Sequence, residues 1–386
     1  MIPYSTQSID DTDIEAVREI LESPFLTTGP TINEFENAVA EYTKCEYAIA
    51  VNSCTSALHL AMMAIGVSSS DRVFVSAVSF AASANCARFM GADVDFVDVS
   101  PKSGNMDLDV LEEMLRLAEQ ENRLPKAVVA VHLSGRPLDL IRLDSLRTKY
   151  GFKLVEDAAH AIGALFHGEY IGSCQHSDIT VFSFHPVKII TTAEGGMCLT
   201  NNPEYAHAIR MLSSHGITHD IEDLCNTSKP AYYYEMQRLG YNYRMTDIQA
   251  ALGISQLARI EDFLEKRRSL ARSYQELFSD FDKIGLPQAD TPDNVSSWHL
   301  YQVRIPGNFR DSIFKTLRQK GIGVQVHYLP IYRHPYYQSV KDYPELPGAE
   351  EFFEHTLSIP LYPNLSRLNQ QMVAATLMSA LDQLCS

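Results

Sequence analysis

Lys188, Asp157 and Ser183 have the residue types and the spacing that could carry out chemistry together. Asp157 comes directly after Val155-Glu156, at the end of one predicted strand. Ser183 and Lys188 come at the end of the next predicted strand, in Ser183-Phe184-His185-Pro186-Val187-Lys188. A lysine amine can form a Schiff base with an aldehyde, an aspartate can pair with a pyridinium nitrogen, and a serine can bind a phosphate. The pattern therefore predicts a pyridoxal phosphate (PLP) site with Lys188 as the catalytic residue, although a lone lysine in a loop is usually a solvated surface charge.

A phosphate site is indicated by the stretch Asn52-Ser53-Cys54-Thr55-Ser56-Ala57-Leu58, in which small polar residues separate a predicted strand from a predicted helix. Free N–H groups at a helix N-terminus, together with hydroxyl groups, bind anions. A simple helix N-cap is the alternative, and Lys188 elsewhere in the chain favours phosphate binding.

Other residues could contact the ring of the cofactor. A buried Asp157 carboxylate is costly unless a cation such as a protonated pyridine pairs with it. Phe80 follows a strand and could stack on the ring, although aromatic residues more often belong to the core. His160 could donate to the phenolic oxygen or be an ordinary core histidine. Gly195-Gly196 permits close backbone packing beside the lysine, or forms a turn.

Two further segments offer groups for a substrate. Asn242 could donate to a phosphate and Arg244 could meet a carboxylate, although by themselves they resemble loop and cap residues. The segment Gln325-Val326-His327-Tyr328 ends a predicted strand and could face a ligand. Histidines and cysteines do not cluster at the spacing of zinc ligands, so no metal site is expected.

The composition is that of an ordinary globular protein. The chain has 386 residues, 45% hydrophobic and 21% charged, and a net charge of −16 without a basic arm, which argues against nucleic-acid binding. The N-terminus lacks the features of a signal peptide, and no apolar run is long enough to span a membrane, so a cytoplasmic protein is expected. Seven scattered cysteines indicate reduced structural thiols.

Strands that alternate with helices predict an α/β fold with a buried, mostly parallel sheet. The predicted strands are 48–51, 73–77, 94–99, 127–132, 153–156, 179–184 and 197–200, and the helices between them include 56–65, 83–90, 109–120 and 138–150. We expect residues 1–245 to form a large PLP-binding domain with an N-terminal arm. Residues 246–386 are expected to form an interdomain helix, from Asp247 to about Tyr274, and a smaller α+β domain. That domain should contain strand 298–305, helix 311–320, a strand after Gly323 and helix 369–383. The tyrosine-rich stretch 218–234 is irregular and could act as a lid.

Taken together, these motifs resemble the DegT/DnrJ/EryC1/StrS family of PLP-dependent aminotransferases, which act on keto-sugar nucleotides. The resemblance runs nearly end to end, and the stretches that carry it are 25–30, 52–58, 156–163, 183–196, 214–216, 240–251 and 326–328. It implies the type I aminotransferase fold and a homodimer whose active sites lie at the subunit interface. His160 stands where many members carry glutamine, whereas related dehydratases replace the lysine with histidine, so Lys188 favours amino transfer.

The resemblance also implies roles for individual residues. Lys188 would hold PLP and shuttle protons, with Asp157 on the pyridinium and Phe80 on the ring face. The phosphate would be bound by Thr55, Ser56 and Ser183, and by Asn242 of the second subunit. Sugar-nucleotide contacts are expected from Tyr4, Leu26, Thr27, Thr28, Arg244, Gln325, Val326, His327 and Tyr328.

Within the family, the stretches 191–196, 214–218, 298–301 and 325–328 are most similar to members of the pseudaminic acid pathway. This similarity implies that L-glutamate donates an amino group to a UDP-linked 4-keto-6-deoxy-N-acetylhexosamine, with the L-altro configuration favoured. Another keto-sugar nucleotide, 3-keto or dTDP-linked, is an alternative substrate. A PLP-binding regulator without turnover is a third interpretation, against which the intact set of Lys188, Asp157 and Ser183 argues.

Overall fold

The structure is a computed structural model that describes residues 1–226, 230 and 232–384. Residues 227–229 and 231 of the predicted lid, and the cysteine at position 385, lie outside the described residues. The described part contains no helix long and apolar enough to cross a membrane.

Helices account for much of the described chain. They are α1 (Asp11–Glu22), α2 (Pro30–Thr43), α3 (Cys54–Ala64), α4 (Ala82–Phe89), α5 (Leu108–Gln120), α6 (Leu140–Tyr150), α7 (Pro203–Leu212), α8 (Asp247–Leu257), α9 (Ile260–Leu277), α10 (Gly307–Gln319), α11 (Pro335–Val340), α12 (Pro347–His355) and α13 (Arg367–Leu384).

The strands are short. They are β1 (Tyr47–Val51), β2 (Arg72–Ser76), β3 (Asp93–Val97), β4 (Ala127–Val131), β5 (Lys153–Asp157), β6 (Leu165–Phe166), β7 (Glu169–Tyr170), β8 (Ile179–Ser183), β9 (Gly196–Thr200), β10 (Ile217–Thr218), β11 (Glu235–Met236), β12 (Asn294–Val295), β13 (Tyr301–Arg304) and β14 (Thr356–Ile359).

A seven-stranded sheet in the order β1-β9-β8-β5-β4-β2-β3 is the framework of the N-terminal part. Only β9 among these seven strands runs antiparallel to its neighbours, β1 and β8. The predicted α/β class and mostly parallel sheet are thereby confirmed. The seven predicted strands differ from the observed ones by at most two residues at either end.

Both faces of this sheet are buried, as the apolar strands indicate. Along β4, Val128 and Ala130 belong to one hydrophobic cluster, whereas Ala127 and Val129 belong to a second cluster on the other face. Side chains from α2, α5 and α6 fill the first cluster, and those from α3, α4 and α7 fill the second. Alternation along a strand thus supplies both layers, because successive side chains point to opposite faces.

The C-terminal part differs in detail from the prediction. The strand predicted at 298–305 is wrong at its start, because Ser297 and His299 donate backbone hydrogen bonds to Gly135 and Ser134 instead of joining a sheet. The strand predicted after Gly323 is also wrong: the segment makes a single bridge, from Gln325 to Ser358. The strand that pairs with β13 is β14, which the sequence analysis did not predict.

The single helix predicted from Asp247 to about Tyr274 is wrong as well, because α8 ends at Leu257 and α9 begins at Ile260. No glycine or proline lies at the break. At this break, Arg259 forms ion pairs with Asp10 and Asp13 at the start of α1. The two helices therefore meet at a residue that is bound to the N-terminal segment.

The N-terminal arm packs against the C-terminal part of the chain. Ile2 donates to the carbonyl of Gly321 at 2.8 Å and accepts from Gly323 at 2.7 Å, and its side chain joins the cluster built by α9, α10 and α13. The arm thereby brings Tyr4 and Ser5 to the loop that carries Lys188. The division into domains 1–245 and 246–386 stays a prediction.

Candidate active site

A cavity of about 410 Å³ lies at the carboxyl ends of the central strands. Val131, Asp157 and Ser183, the last residues of β4, β5 and β8, reach it together because parallel strands end at one edge of a sheet. Its lining consists of Tyr4, Ser53, Cys54, Thr55, Leu58, Ser79, Phe80, Ala82, Val131, Asp157, Ala159, His160, Ser183, His185, Val187, Lys188, Glu194, Gly195, His327 and Tyr328. Another surface depression, near α7, is lined by none of the predicted site residues.

Lys188 projects its amine into this cavity from the loop after β8. Its backbone N–H donates to the carbonyl of His185 at 2.9 Å, and the hydroxyl of Ser5 donates to the neighbouring carbonyl of Val187 at 3.0 Å. Within the described residues the amine has no hydrogen-bond or ion-pair partner. Burial lowers the pKa of Lys188 to about 8, although the charges of Cys54 and Asp157 oppose the shift. A substantial fraction of the amine is therefore neutral near physiological pH, which a nucleophile requires.

Asp157 is buried at the end of β5, and both carboxylate oxygens accept hydrogen bonds. The hydroxyl of Ser83 donates to Oδ2 at 2.6 Å, and the backbone N–H of Ala159 donates to Oδ1 at 3.2 Å. Within the part of the chain that the structure describes, no cation forms an ion pair with this carboxylate. It is thus held in place by neutral donors and remains able to pair with a cation in the cavity.

The N-terminus of α3 provides the anion-binding end of the cavity. Ser53 is the N-cap, and its Oγ accepts from the N–H of Ser56 at 3.1 Å, so the earlier N–H groups of Cys54 and Thr55 stay available. A side chain at Gly196 would place its Cβ 2.5 Å from the backbone of Ser53 and Cys54. Gly196 is therefore needed for β9 to pack this closely against the loop before α3.

His160 has a defined tautomer. Its Nδ1 accepts from the backbone N–H of Ser134 at 3.2 Å, so in the neutral ring the proton resides on Nε2. Nε2 lies 3.3 Å from the hydroxyl oxygen of Tyr328. Burial, followed by the charges of Lys188 and His327, holds the pKa of His160 well below its usual value. The ring is therefore a neutral hydrogen-bond donor that faces the cavity.

Aromatic rings form the remaining wall of the cavity. Phe80 is 62% exposed and its ring centroid lies 6.3 Å from that of Tyr328, so it is an apolar surface facing the cavity rather than a core residue. Tyr4 of the N-terminal arm packs against His327 with ring centroids 5.4 Å apart. These four side chains come from three distant segments that the fold brings together.

Some predicted residues do not face this cavity. The hydroxyl of Ser56 donates to the side chain of Asn52 at 2.7 Å and is directed away from the cavity. Gln325 is exposed elsewhere, and Val326 packs against the C-terminal hydrophobic cluster. At that segment the structure thus brings only His327 and Tyr328 to the site.

Five other predicted residues lie on one outer face of the chain. Thr27 bridges to Thr246, Asn242 bridges to Ser214, and Arg244 donates to the hydroxyl of Ser214 at 3.1 Å. Leu26 and Thr28 flank Thr27 and are exposed. None of the five lines the cavity of the same chain.

Several supporting residues were not found from the sequence. Ser83, Ser134, Ser297 and His299 contact the predicted site residues rather than the cavity itself, and their partners are distant in sequence. The stretch Val78–Ser83 was singled out for Phe80 alone. A serine one helical turn from that aromatic residue was the only available signal, and it did not specify a partner.

The residues present fit PLP. The cavity combines an amine without a partner, a carboxylate without a cation and a helix N-terminus with available N–H groups. These correspond to the aldehyde, the pyridinium nitrogen and the phosphate of the cofactor. Among the described residues, no group of three or more histidine, cysteine or acidic side chains has the arrangement of a metal site.

Comparisons with known proteins agree with this geometry. The model of the DegT/DnrJ/EryC1/StrS aminotransferase family matches residues 7–378. A curated relative from Campylobacter jejuni, UDP-4-amino-4,6-dideoxy-N-acetyl-beta-L-altrosamine transaminase, is 38% identical over 389 residues, which cover 99% of this chain and 98% of the relative.

Two solved aminotransferases share the fold of this chain over its whole length, which confirms the type I aminotransferase fold that the resemblance implies. An aminotransferase from Helicobacter pylori involved in pseudaminic acid biosynthesis superposes with a TM-score of 0.91 at 30% identity and covers 99% of both chains. A protein from Streptococcus pneumoniae described as a sugar aminotransferase, in its PLP form, has a TM-score of 0.90 at 30% identity and covers 100% of both chains.

Proposed function

The chain belongs to the DegT/DnrJ/EryC1/StrS aminotransferase family, and we propose that it transfers the amino group of L-glutamate to a UDP-linked 4-keto-6-deoxy-N-acetylhexosamine. The protein is a PLP-dependent aminotransferase that acts on sugar nucleotides. The proposal concerns the identity of the donor, the nucleotide and the sugar. It favours the L-altro configuration and therefore a step in pseudaminic acid biosynthesis.

One observation supports the specific substrate: the C. jejuni transaminase of UDP-4-amino-4,6-dideoxy-N-acetyl-beta-L-altrosamine is 38% identical over almost the whole of both chains. The cavity adds a chemical argument. Its lining includes the imidazole of His327, the phenol of Tyr328 and the aromatic ring of Tyr4, which are groups that can orient a sugar.

PLP, when bound, supplies the electron sink that amino transfer requires. In the proposed site Lys188 holds the cofactor and moves a proton at its Nζ, which its lowered pKa suits. Asp157 would pair with the ring nitrogen, Phe80 would cover the ring face, and Nε2–H of His160 would donate to the phenolic oxygen. Thr55, Ser183 and the N-terminus of α3 bind the phosphate.

We also propose that the active enzyme is a homodimer in which Asn242 of one subunit completes the phosphate site of the other. The support is the outer face that carries Leu26–Thr28, Asn242 and Arg244. Large apolar side chains are exposed on the same segments: Leu239 is 75% exposed and Phe25 is 52% exposed. Such residues are commonly covered in subunit interfaces.

The direct test is a panel of keto-sugar nucleotides incubated with the purified holoenzyme and nitrogen-15 L-glutamate. We expect labelled amine at C4 of the UDP-4-keto-L-altro compound, detected by mass spectrometry. Preference for the D-xylo epimer, or for a dTDP-linked 3-keto sugar, would replace the proposed substrate and leave the amino transfer unchanged. Omission of glutamate, with alanine or aspartate supplied instead, tests the donor.

A further inference from the structure

A segment of the C-terminal part, residues 297–300, packs against the backbone and the ring of His160. The hydroxyl of Ser297 donates to the backbone carbonyl of His160 at 2.6 Å. The ring of His299 lies against the ring of His160 with centroids 4.3 Å apart and an interplanar angle of 41°. One residue therefore fixes the backbone of His160, and another packs against its ring.

The same segment holds the turn that fixes the tautomer of His160. The backbone N–H of His299 donates to the carbonyl of Ser134 at 3.0 Å, and that of Ser297 donates to Gly135 at 3.1 Å. Ser134 in turn donates its N–H to His160 Nδ1. Ser297 and His299 thus contact His160 through their side chains, and through their backbone N–H groups they hold the turn whose Ser134 N–H keeps the imidazole proton on Nε2.

Gly135 is the residue that allows these three segments to meet. Its φ is +89°, and a Cβ there would lie 2.0 Å from Ser297 Oγ and 2.7 Å from the carbonyl oxygen of His160. Only glycine fits both the backbone conformation and the space. The contact is consequently a built feature of the fold and not a chance approach of two loops.

The side chain of His299 packs against His160 inside the protein. It is buried, and within the described residues its Nδ1 lacks a hydrogen-bond partner. The buried Arg267 donates to the carbonyls of Trp298 and His299 at 3.2 Å each, so the backbone of the segment is itself anchored. A buried nitrogen without a hydrogen bond is costly, and the packing of the His299 ring against His160 is retained despite that cost.

We infer that Ser297 and His299 are positioning residues that hold His160 so that its Nε2–H donates to the phenolic oxygen of PLP. This inference rests on the proposed site. A donor to that oxygen stabilises its negative charge and thereby lowers the pH at which the visible absorption of the protein-bound cofactor titrates. The segment that carries them lies beyond α9, so the arrangement of the C-terminal part is coupled to the electronic state of the cofactor.

The test is a pH titration of the visible absorption band of bound PLP in the holoenzyme. His160→Phe should raise the midpoint by roughly one pH unit, the effect of losing one hydrogen bond to a charged group. Ser297→Ala and His299→Leu should each raise it by part of that amount. His160→Gln, which keeps an N–H donor, should restore a midpoint close to that of the wild type.

A double-mutant cycle separates positioning from a general structural effect. In the His160→Phe background, Ser297→Ala and His299→Leu should shift the midpoint no further. Tyr301→Phe is the matched control, since it removes only a buried hydroxyl without a hydrogen-bond partner from the adjacent strand, and its midpoint should not move. Should His299→Leu fail to fold, His299→Phe keeps the ring shape and should shift the midpoint less than Ser297→Ala.

Apart from His299 itself, the titratable groups that face His160 are the same in all variants: His327 and Tyr328, together with Lys188, which carries the cofactor in the proposed site. The inference is overturned if the two variants keep the wild-type midpoint, or if they shift it equally with and without His160. A Schiff base that borohydride still fixes to the protein in Lys188→Ala would instead contradict the proposed site itself.

Discussion

The hydroxyl of Ser83, in the first turn of α4, lies 2.6 Å from Oδ2 of Asp157, at the end of β5. Ser79 Oγ lies 2.7 Å from Ser83 Oγ, so a chain of hydroxyl groups leads to the carboxylate. Because neutral donors hold Asp157 and no cation pairs with it among the described residues, the carboxylate is available to a cationic ligand. A protonated pyridine ring is a ligand of the required charge and shape.

This relationship predicts the effects of two substitutions. Asp157→Asn should lower kcat by about 100-fold or more, since the ring nitrogen loses its anionic partner. Ser83→Ala should lower kcat roughly tenfold, as expected for one hydrogen bond to a charged group. Steady-state kinetics with saturating PLP measure both. Asp139→Asn, at the N-cap of α6 and away from the cavity, is the control that should retain full activity.

Lys188→Ala should abolish transamination and leave the fold intact, because no other amine reaches the cavity within the described residues. Activity assays and circular dichroism measure the two effects. Lys266→Ala, which removes an exposed lysine that pairs with Asp262, should behave like the wild type. Near-normal turnover of Lys188→Ala without added amine would show that the nucleophile lies elsewhere.

The lowered pKa of Lys188 predicts how the apoenzyme takes up PLP. Only the neutral amine reacts with the aldehyde, so the rate of covalent attachment should rise with pH and level off near pH 8, the pKa that burial gives this lysine. A solvated lysine would give a rate that keeps rising to about pH 10. Stopped-flow absorbance of apoenzyme mixed with PLP distinguishes the two profiles, and a plateau only at the higher pH contradicts the assigned environment.

Gly196→Ala should weaken PLP binding, because the new Cβ would lie 2.5 Å from the backbone of Ser53 and Cys54 and displace the N-terminus of α3. Equilibrium dialysis should give a Kd for PLP at least about tenfold higher than that of the wild type, or ~1.4 kcal/mol. Gly307→Ala, where the nearest atom is 3.3 Å from the added Cβ, is the matched glycine control. Equal affinities in the two variants would show that close packing at Gly196 does not shape the phosphate site.

A shared active site predicts complementation between two inactive variants. Lys188→Ala lacks the lysine, and a variant disabled at Asn242 lacks the residue proposed to reach the partner's phosphate. Hybrid dimers carry one site with both residues intact, so mixing followed by subunit exchange should restore part of the activity. If exchange is verified by mass spectrometry and no activity returns, Asn242 does not act in the opposite subunit.

The sequence predicted those parts of the fold and the candidate site that depend on local patterns. Continuous apolar runs such as Ala127–Val131 mark buried strands, and polar residues at their ends mark the cavity, so Lys188, Asp157 and Ser183 were found directly. The β14 strand and the break before Ile260 depend on partners far along the chain. Arg259, for example, pairs with Asp10 and Asp13, and neither contact leaves a local signal.

The direction in which a side chain points was the other feature that the sequence did not predict. Ser56 and Thr55 are adjacent in sequence, yet only Thr55 faces the cavity, since the Ser56 hydroxyl is engaged by Asn52. Likewise, Gln325 and Val326 point away while His327 and Tyr328 line the cavity. The supporting contacts of Ser134 and His299 with His160 became visible only once the turn at Gly135 and the C-terminal segment were in place.

The measurement that tests the assigned site most directly is chemical reduction of the holoenzyme with borohydride, followed by peptide mapping. Reduction fixes PLP to the lysine that holds it, so the mass of the phosphopyridoxyl group should appear on the peptide that contains Lys188 and on no other lysine peptide. The label should be absent after prior incubation with L-glutamate, which converts the cofactor to its amine form. A label on a different lysine, or one on Lys188 that glutamate does not remove, would contradict the account.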